Sequence, residues 1–219
     1  MLKKLDLNNN PYLGVSCEAN EHLLVAPTTA LEKTLREAAD ALQTEIVRTS
    51  LGNSNLIGSL MAMNSHGAVL SNISTERERT IIEARIKTGI IRSRLNAVGN
   101  NILANDNGAI VNPDYGKKDM ETIERILKVK PVRGTIAGLK TVGAAAVATN
   151  KGFLCHPHAT EDEIGLLEKV LGVSGSIGTA NFGTPYVGAC MVANSKGAVV
   201  GFATTTIELG GIEEGLHLY

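Results

Sequence analysis

The stretch Cys155-His156-Pro157-His158 is the one place in the chain where residues suited to metal binding stand together. A zinc site needs three or four ligands that converge in a fixed geometry. Alternation along a strand would send Cys155 and His156 to opposite faces, and no CxxC pair occurs elsewhere. The stretch Asn105-Asp106-Asn107-Gly108 begins like a calcium loop, but no glutamate stands at its twelfth position. We therefore predict no metal site.

The cysteines are the candidates for nucleophilic chemistry, which needs a base close to the thiol. Cys17 aligns with Met, Ile and Ala in the internal repeats described below, so we expect it in the core. Cys190 aligns with a mixture of residue types and is the better candidate, although no histidine lies near it in sequence. Neither a Walker loop nor a serine elbow appears. We predict no catalytic residue and no cofactor.

These residues are distributed over a fivefold internal repeat. Glycines recur every 41 to 45 residues, at Gly14, Gly58, Gly99, Gly143 and Gly188. An asparagine follows each of them by six or seven residues, at Asn20, Asn64, Asn105, Asn150 and Asn194. Such a period is typical of architectures in which each unit buries its core against its neighbours. We expect one domain, 1–219, with repeats near 8–51, 52–95, 96–136, 137–180 and 181–219.

The fourth repeat predicts the order strand, turn, strand, helix, strand. Its segments are Thr141–Ala148 as a buried strand, Thr149–Gly152 as the turn, Phe153–His156 as the second strand, a helix from Thr160 to Gly172, and Val173–Thr179 as the third strand. Thr160 and Glu163 form a capping box, and such boxes recur at Thr29/Glu32, Thr75/Glu78 and Thr205/Glu208. The third repeat instead enters its helix through Asn112-Pro113-Asp114. Leu31, Leu35, Ala38 and Leu42 predict the buried face of the first helix.

The first residues of the chain have a place in this repeat. The segment Leu2–Leu7 stands where the third strand of a preceding repeat would stand. We expect this strand, 2–7, to pair with the fifth repeat, because closure removes exposed sheet edges. The predicted fold class is α/β, a closed ring of five strand–strand–helix–strand repeats.

The composition restricts the partners that the chain can have. The 219 residues carry a net charge of −1, whereas proteins that bind nucleic acid mainly through phosphates carry a positive excess. We therefore expect no DNA partner, and any RNA contact should be local. No run of about 18 apolar residues exists to cross a membrane, and the first ten residues lack the apolar core of a signal peptide. With three scattered cysteines, these features predict a cytoplasmic protein.

Six segments in the same order carry a family resemblance: Asn10–Gly14, Arg94–Asn100, Asn105-Asp106 with Pro113-Asp114, Gly152–Pro157, Gly178–Asn181 with Gly183, and Thr205–Leu209. Over its whole length the chain resembles the translation initiation factor 6 family in its shorter, archaeal-type form. The resemblance implies the pentein fold, a pseudo-fivefold ring of ββαβ-like units with the helices outside. Eukaryotic members differ by arginines at the positions of Ser59 and Ser65 and by a regulated C-terminal tail.

The resemblance also implies a function. Family members bind the large ribosomal subunit on its intersubunit face, contact ribosomal protein L14 near the sarcin–ricin loop, and block joining of the small subunit. They act in translation initiation or in large-subunit biogenesis, by a steric mechanism that needs no chemical step, so we expect no cofactor. We also expect a monomer. Sensitive family positions map to the Asn-Gly turns, which nominates a ribosome-binding rim of Asn64, Ser65, His66, Asn105, Asp106, Asn107, Asn150 and Lys151. We expect Asn20 and Asn194 only to satisfy their own turns.

Two alternatives remain open at this point. Other penteins are guanidine-modifying enzymes with a cysteine nucleophile, a histidine and carboxylates around the central channel, and Cys190 is the residue that could take that part. A low-pKa, reactive thiol would identify such an enzyme. The chain could also be an interaction scaffold for a different partner.

Overall fold

The computed structural model describes all residues from Met1 to Tyr219. Its fifteen strands and ten helices divide into five units, because the strands form five separate three-stranded sheets. Each unit runs in the order one-turn helix, strand, strand, outer helix, strand, and the fifth unit borrows its third strand from the N-terminus. The fold is therefore mixed α/β with a fivefold repeat.

The first strand is β1 (Leu2–Leu5). The first unit contains α1 (Leu13–Ser16), β2 (Glu18–Ala19), β3 (Leu23–Pro27), α2 (Glu32–Leu42) and β4 (Glu45–Thr49). The second contains α3 (Ile57–Leu60), β5 (Met61–Met63), β6 (Ala68–Ser71), α4 (Glu76–Glu83) and β7 (Thr88–Ile91). The third contains α5 (Val98–Asn101), β8 (Ile102–Ala104), β9 (Ala109–Val111), α6 (Lys117–Leu127) and β10 (Pro131–Arg133).

The fourth unit contains α7 (Val142–Ala145), β11 (Ala146–Ala148), β12 (Phe153–Cys155), α8 (Glu161–Leu171) and β13 (Gly175–Ile177). The fifth contains α9 (Val187–Cys190), β14 (Met191–Asn194), β15 (Gly197–Gly201) and α10 (Thr206–Gly215). None of these helices has the length and apolarity needed to cross a membrane.

Strand pairing is the same in every unit. The first strand pairs antiparallel with the second across a tight turn, and the second pairs parallel with the third. In the first four units the outer helix connects the second strand to the third. A helical crossover of this kind is what parallel neighbours require. β1 pairs parallel with β15, from Leu2 opposite Ala198 to Leu5 opposite Gly201. The predicted pairing of the N-terminal segment with the fifth repeat is confirmed, over four residues rather than six.

The predicted first strand of each repeat is wrong in its first half. In the fourth unit, Thr141–Ala148 begins as the one-turn helix α7, and only Ala146–Ala148 is strand. A short apolar run fits a buried strand and a buried helical turn equally well, so the pattern could not decide between them. The one-turn helices pack in cyclic order, α1 on α3, α3 on α5, α5 on α7, α7 on α9, and α9 on α1.

Three of the four predicted capping boxes are present, and Thr29/Glu32 is wrong. The boxes at Thr75/Glu78, Thr160/Glu163 and Thr205/Glu208 have both reciprocal hydrogen bonds. Helix α2 begins after Leu31 without a side-chain cap. Glu32 instead pairs with Arg36 at 2.9 Å and Arg48 at 2.8 Å, and Leu31 is 66% exposed rather than on the buried face. Thr29 lies two residues before the N-cap residue, and Glu32 is the first rather than the third residue of the helix, so the two cannot form a capping box.

The capping glutamates also close the turn that precedes their unit. The carboxylate of Glu163 accepts hydrogen bonds from the backbone of Ala137 at 2.8 Å and Gly138 at 3.0 Å, and from the Thr135 hydroxyl at 2.7 Å. Burial opposes ionisation, but these bonds outweigh it and lower the pKa of Glu163 to about 2. Each such carboxylate fixes the entry to its unit.

The core is divided into five clusters that neighbouring units share. One cluster joins Leu103 and Ile110 of the third unit to Phe153 and Leu167 of the fourth. Burying apolar surface between units, rather than within one, is how repeat architectures stabilise units that could not fold alone. The shared cores hold the five strand turns in fixed positions relative to one another.

Candidate docking rim

The turns between the two antiparallel strands of each unit meet at one end of the structure. We call them the turn rim, and they comprise residues 20–22, 64–66, 105–107, 149–151 and 194–196. Residues from all five turns line one small cavity of about 20 Å³. All eight ribosome-binding residues that the sequence nominates lie in the second, third and fourth of these turns.

In four of the five turns, an asparagine in the first position ties two units together. The Oδ1 atom of Asn105 accepts from two backbone N–H groups of its own turn, at 3.0 and 3.1 Å. Its Nδ2 atom donates to the backbone oxygens of Thr149 and Leu171 in the next unit, both at 2.9 Å. Bonds within the turn and to the neighbouring turn recur at Asn20, Asn64 and Asn194.

These asparagines are buried, so they shape the rim rather than present side chains on it. Asn64 and Asn105 are 3% and 4% exposed, and every polar atom of their side chains is bonded within the chain. The expectation that Asn20 and Asn194 satisfy only their own turns is incomplete, because both also donate to another unit.

Replacing Asn105 with alanine should lower the free energy of unfolding by about 3 kcal/mol, because buried backbone groups in two units lose their partner. Urea unfolding followed by circular dichroism would measure this. The matched control is Asn107→Ala in the same turn, whose side chain is exposed and makes one bond, to Leu171; it should cost less than about 1 kcal/mol. Equal losses for the two variants would contradict the role assigned to Asn105.

The second residues of the turns form a hydrogen-bonded network around two carboxylates. Asp106 accepts from Ser65 N and Oγ, both at 2.7 Å, and from Asn150 Nδ2 at 2.7 Å. Glu21 accepts from Ser195 N at 3.0 Å, from Ser195 Oγ at 2.5 Å and from Asn150 Nδ2 at 3.4 Å. One residue from each unit takes part, so the network links all five units at the turn rim.

The Asp106 carboxylate is held in its charged form. Burial opposes ionisation, but hydrogen bonds from the Ser65 backbone and hydroxyl and from the Asn150 amide outweigh it, and the pKa of Asp106 falls below its ordinary value. Asp106 therefore keeps its negative charge at neutral pH while bridging the second, third and fourth units.

The fourth turn corrects the alignment of the repeats. Asn150 stands seven residues after its glycine, where the other asparagines stand six after theirs. The structure places Thr149 in the first position, and its hydroxyl accepts from the backbone of Lys151 at 3.1 Å and Gly152 at 3.2 Å. Asn150 belongs to the second position, with Ser65 and Asp106. The sequence already indicates this assignment, because Thr149 rather than Asn150 stands six residues after the repeat glycine Gly143.

Four of the five third residues present exposed side chains, whereas Lys196 is half-buried and donates to the backbone oxygens of Glu21 and Gln43. His66, Asn107 and Lys151 are exposed, and so is His22 of the first turn. The sequence nominated the first three but missed His22, and it also missed Glu21 and Ser195 in the network. The strict repeat spacing was the available signal, since it places all three in equivalent turns.

Behind the rim lies a central cavity of about 70 Å³ around which all five units meet. Glycine, alanine and larger apolar residues make up most of its lining, and Glu18 is its one ionisable residue. Burial raises the pKa of Glu18 to about 8, although a hydrogen bond with the Met63 backbone acts in the opposite direction. Nothing in the sequence distinguishes this glutamate from a solvent-exposed one.

The cysteines lack the surroundings of a nucleophile. All three are buried, and burial raises the pKa of Cys17, Cys155 and Cys190 to about 12. The side chains that act on the Cys190 thiol belong to Asn181, Thr184 and Glu208, with no histidine among them. A catalytic cysteine needs a lowered pKa, so this arrangement does not favour the enzyme alternative.

The histidines after Cys155 make ring contacts. The His156 ring lies edge-on to His158 at 5.5 Å and to Tyr186 at 5.8 Å between centroids. No group of three or more His, Cys, Asp or Glu side chains in the chain is placed to hold a metal ion.

Comparison with known proteins gives a consistent result over the whole chain. The family model described as the eIF-6 family matches residues 2–215. The translation initiation factor 6 of Picrophilus torridus is 39% identical over 216 residues, which cover 99% of this chain and 100% of that protein. Those of Methanosarcina mazei and Pyrococcus horikoshii are 41% and 39% identical, with 98% or more of each chain covered.

Proposed function

The chain belongs to the eIF-6 family, and we propose that it binds the large ribosomal subunit on its intersubunit face and sterically prevents premature joining of the small subunit. Membership supports a role in translation initiation, and relatives bear that factor's name rather than an enzyme's. Ribosomal protein L14 and the neighbourhood of the sarcin–ricin loop are the proposed contacts. A part in subunit biogenesis, a cytoplasmic location and a monomeric state belong to the same proposal.

We further propose that the five units form one closed pentein ring spanning 1–219. The packing of α9 back onto α1 and of β1 onto β15 supports this ring. A rigid ring suits a steric mechanism, because a body that cannot deform excludes the other subunit by its volume alone. No chemical step is needed, which agrees with the raised thiol pKa values.

The turn rim is the proposed docking surface, and its exposed third residues are the proposed contacts. The observation that carries this is the contrast between bonded and exposed side chains in the second, third and fourth turns. The side chains of Asn64, Asn105 and Asp106 are engaged in hydrogen bonds between units. The side chains of His66, Asn107 and Lys151 are exposed on a backbone that those bonds hold in place, and of these only the Asn107 amide bonds another unit, at Leu171. Preorganised side chains lose little entropy when they bind, and this favours affinity.

Co-sedimentation with purified ribosomal subunits tests the proposed function and the proposed docking surface. The wild-type chain should travel with the large subunit and not the small one, and it should lower the yield of joined ribosomes. The variant His66→Ala/Asn107→Ala/Lys151→Ala should fold normally and bind about tenfold more weakly, a loss of about 1.4 kcal/mol. A matched control replaces the same residue types at exposed positions away from the turn rim, His158→Ala/Asn72→Ala/Lys33→Ala.

Each result has a separate meaning. A wild-type chain that stays at the top of the gradient refutes large-subunit binding. Rim and control variants that bind equally well refute the rim as the docking surface and leave the function standing.

A further inference from the structure

Charge is distributed unevenly over a chain whose net charge is only −1. The segment from the start of α4 to the end of β10, residues 76–133, has twelve Lys and Arg against eight Asp and Glu. The other residues of the chain include nine Lys and Arg and fourteen Asp and Glu. The second and third units therefore form a positive sector in a chain that is otherwise negative. Such a local excess is the electrostatic signature of a surface that meets phosphate groups.

A cleft between the second and third units gathers part of this excess. It has a volume of about 280 Å³, with one wall formed by Thr88–Ile90 and Arg92 around β7 and the other by Lys118, Thr122 and Arg125 of α6. The α6 residues recur at i, i+4 and i+7, which places them on one face of the helix. Along the helix axis, Lys118 and Arg125 are about 10 Å apart.

The three cations of this basic cleft are free. Arg92, Lys118 and Arg125 are exposed, and none of them takes part in any of the ion pairs of the structure. The two carboxylates at the cleft are engaged by the chain itself. Glu83 accepts from the Thr88 hydroxyl at 2.5 Å, and the buried Asp119 accepts from the backbone of Arg92 at 3.3 Å.

The basic cleft adjoins the turn rim. The backbone oxygen of Leu127, at the end of α6, accepts a hydrogen bond of 2.8 Å from Nδ2 of the rim residue Asn64. Arg125 is two residues before Leu127 in the sequence, and the exposed rim residue His66 is two residues after Asn64. A partner seated on the second turn of the rim therefore lies beside the cleft.

We propose that the basic cleft binds the phosphate backbone of ribosomal RNA next to the docking site on the large subunit. This inference rests on the proposed function and names the chemistry of one side of that contact. Arginine and lysine suit phosphate oxygens, and an arginine can donate two parallel hydrogen bonds to them. The rest of the chain, negative overall, would be repelled by RNA, so the contact stays local and its orientation is fixed.

The salt dependence of large-subunit binding tests the proposal. The variant Lys118→Gln/Arg125→Gln should reduce the slope of log affinity against log salt concentration by about 1.4, because each phosphate contact with single-stranded RNA contributes about 0.7. The control Lys33→Gln/Lys169→Gln removes the same charge from exposed lysines that lie outside the positive sector and make no ion pair, and it should keep the wild-type slope. Equal slopes for the two variants overturn the proposal.

A tethered cleavage reagent distinguishes RNA from an acidic protein surface. The native thiols are buried, so an iron chelate that generates hydroxyl radicals will label an introduced cysteine selectively. Glu121→Cys and Arg36→Cys are matched, since both are exposed fifth residues of eleven-residue helices and each loses one i,i+4 ion pair. Labelled Glu121→Cys should cut large-subunit rRNA at defined nucleotides, and labelled Arg36→Cys should not.

Intact rRNA with bound, labelled Glu121→Cys would overturn the inference and assign the cleft to a protein neighbour. The proposed function would survive that result. A wild-type chain that does not bind large subunits at all refutes the proposed function, and this inference with it.

Discussion

Gly99→Ala is expected to leave the chain without a stable folded state. A Cβ atom at Gly99 would lie 1.8 Å from the backbone oxygen of Gly58 and 2.4 Å from that of Met61. Both obstacles are main chain, so no side chain can rotate away. A Cβ atom added to any of the four other repeat glycines would also lie 1.9 or 2.0 Å from a backbone oxygen of a neighbouring unit. Relieving this overlap would require the one-turn helices of all five units to move apart, because they pack on one another in cyclic order.

The expected loss exceeds about 5 kcal/mol, which is comparable to the entire stability of many domains. Soluble yield and urea unfolding of the purified variant would measure it. Gly165→Ala is the matched control, because Gly165 is also helical and a Cβ there meets nothing within 4 Å. It should raise the stability by up to about 1 kcal/mol, since alanine is the better helix former. Near-wild-type unfolding of Gly99→Ala would disprove the close packing of α3 on α5.

The glycine period could be read from the sequence, but its physical cause could not. Repetition identified five units, and the capping boxes at Thr75, Thr160 and Thr205 located three of the outer helices because such boxes are local signals. The reason for each glycine is a backbone oxygen in a neighbouring unit, 41 to 45 residues away for four of them and 174 residues away for Gly14. Contacts between units leave no local pattern, so the sequence predicts strand at positions where the structure has one-turn helices.

The candidate site shows the same limit. The sequence located the turns, since asparagine and glycine accept turn conformations, but it treated each turn as separate. Asp106 contacts Ser65 across 41 residues and Asn150 across 44. Glu21 contacts Ser195 across 174. Which turn residue is buried and which is free depends on these long-range bonds, and only the structure provides them.

The pH dependence of stability should identify Glu18 as the unusual carboxyl group of the chain. Its folded-state pKa is raised from 4.5 to about 8 by burial in the central cavity. Between these values the native state binds a proton that the unfolded state has released, so stability falls as pH rises through this window. At 1.36 kcal/mol per pKa unit, the full loss by pH 9 is on the order of 5 kcal/mol.

Glu18→Gln should remove this loss, because glutamine has nearly the same shape and cannot ionise. Urea unfolding of both proteins at intervals from pH 5 to pH 9 gives the difference in unfolding free energy. That difference should grow in favour of the variant as pH rises. Asp106, Glu78 and Glu163 have lowered pKa values and lose their contributions only in acid. These three carboxyl groups are present in both proteins, so their contributions cancel in the difference in unfolding free energy.

Asn100→Ala is the control for disturbing the cavity, because Asn100 is the other polar side chain in its lining and does not titrate. Its stability curve should run parallel to the wild-type curve at every pH. A Glu18→Gln curve that is also parallel would mean that the Glu18 carboxylate is hydrated in the cavity and ionises normally. A widening difference would mean that the centre of the fold is dry enough to hold this glutamate neutral at pH 7.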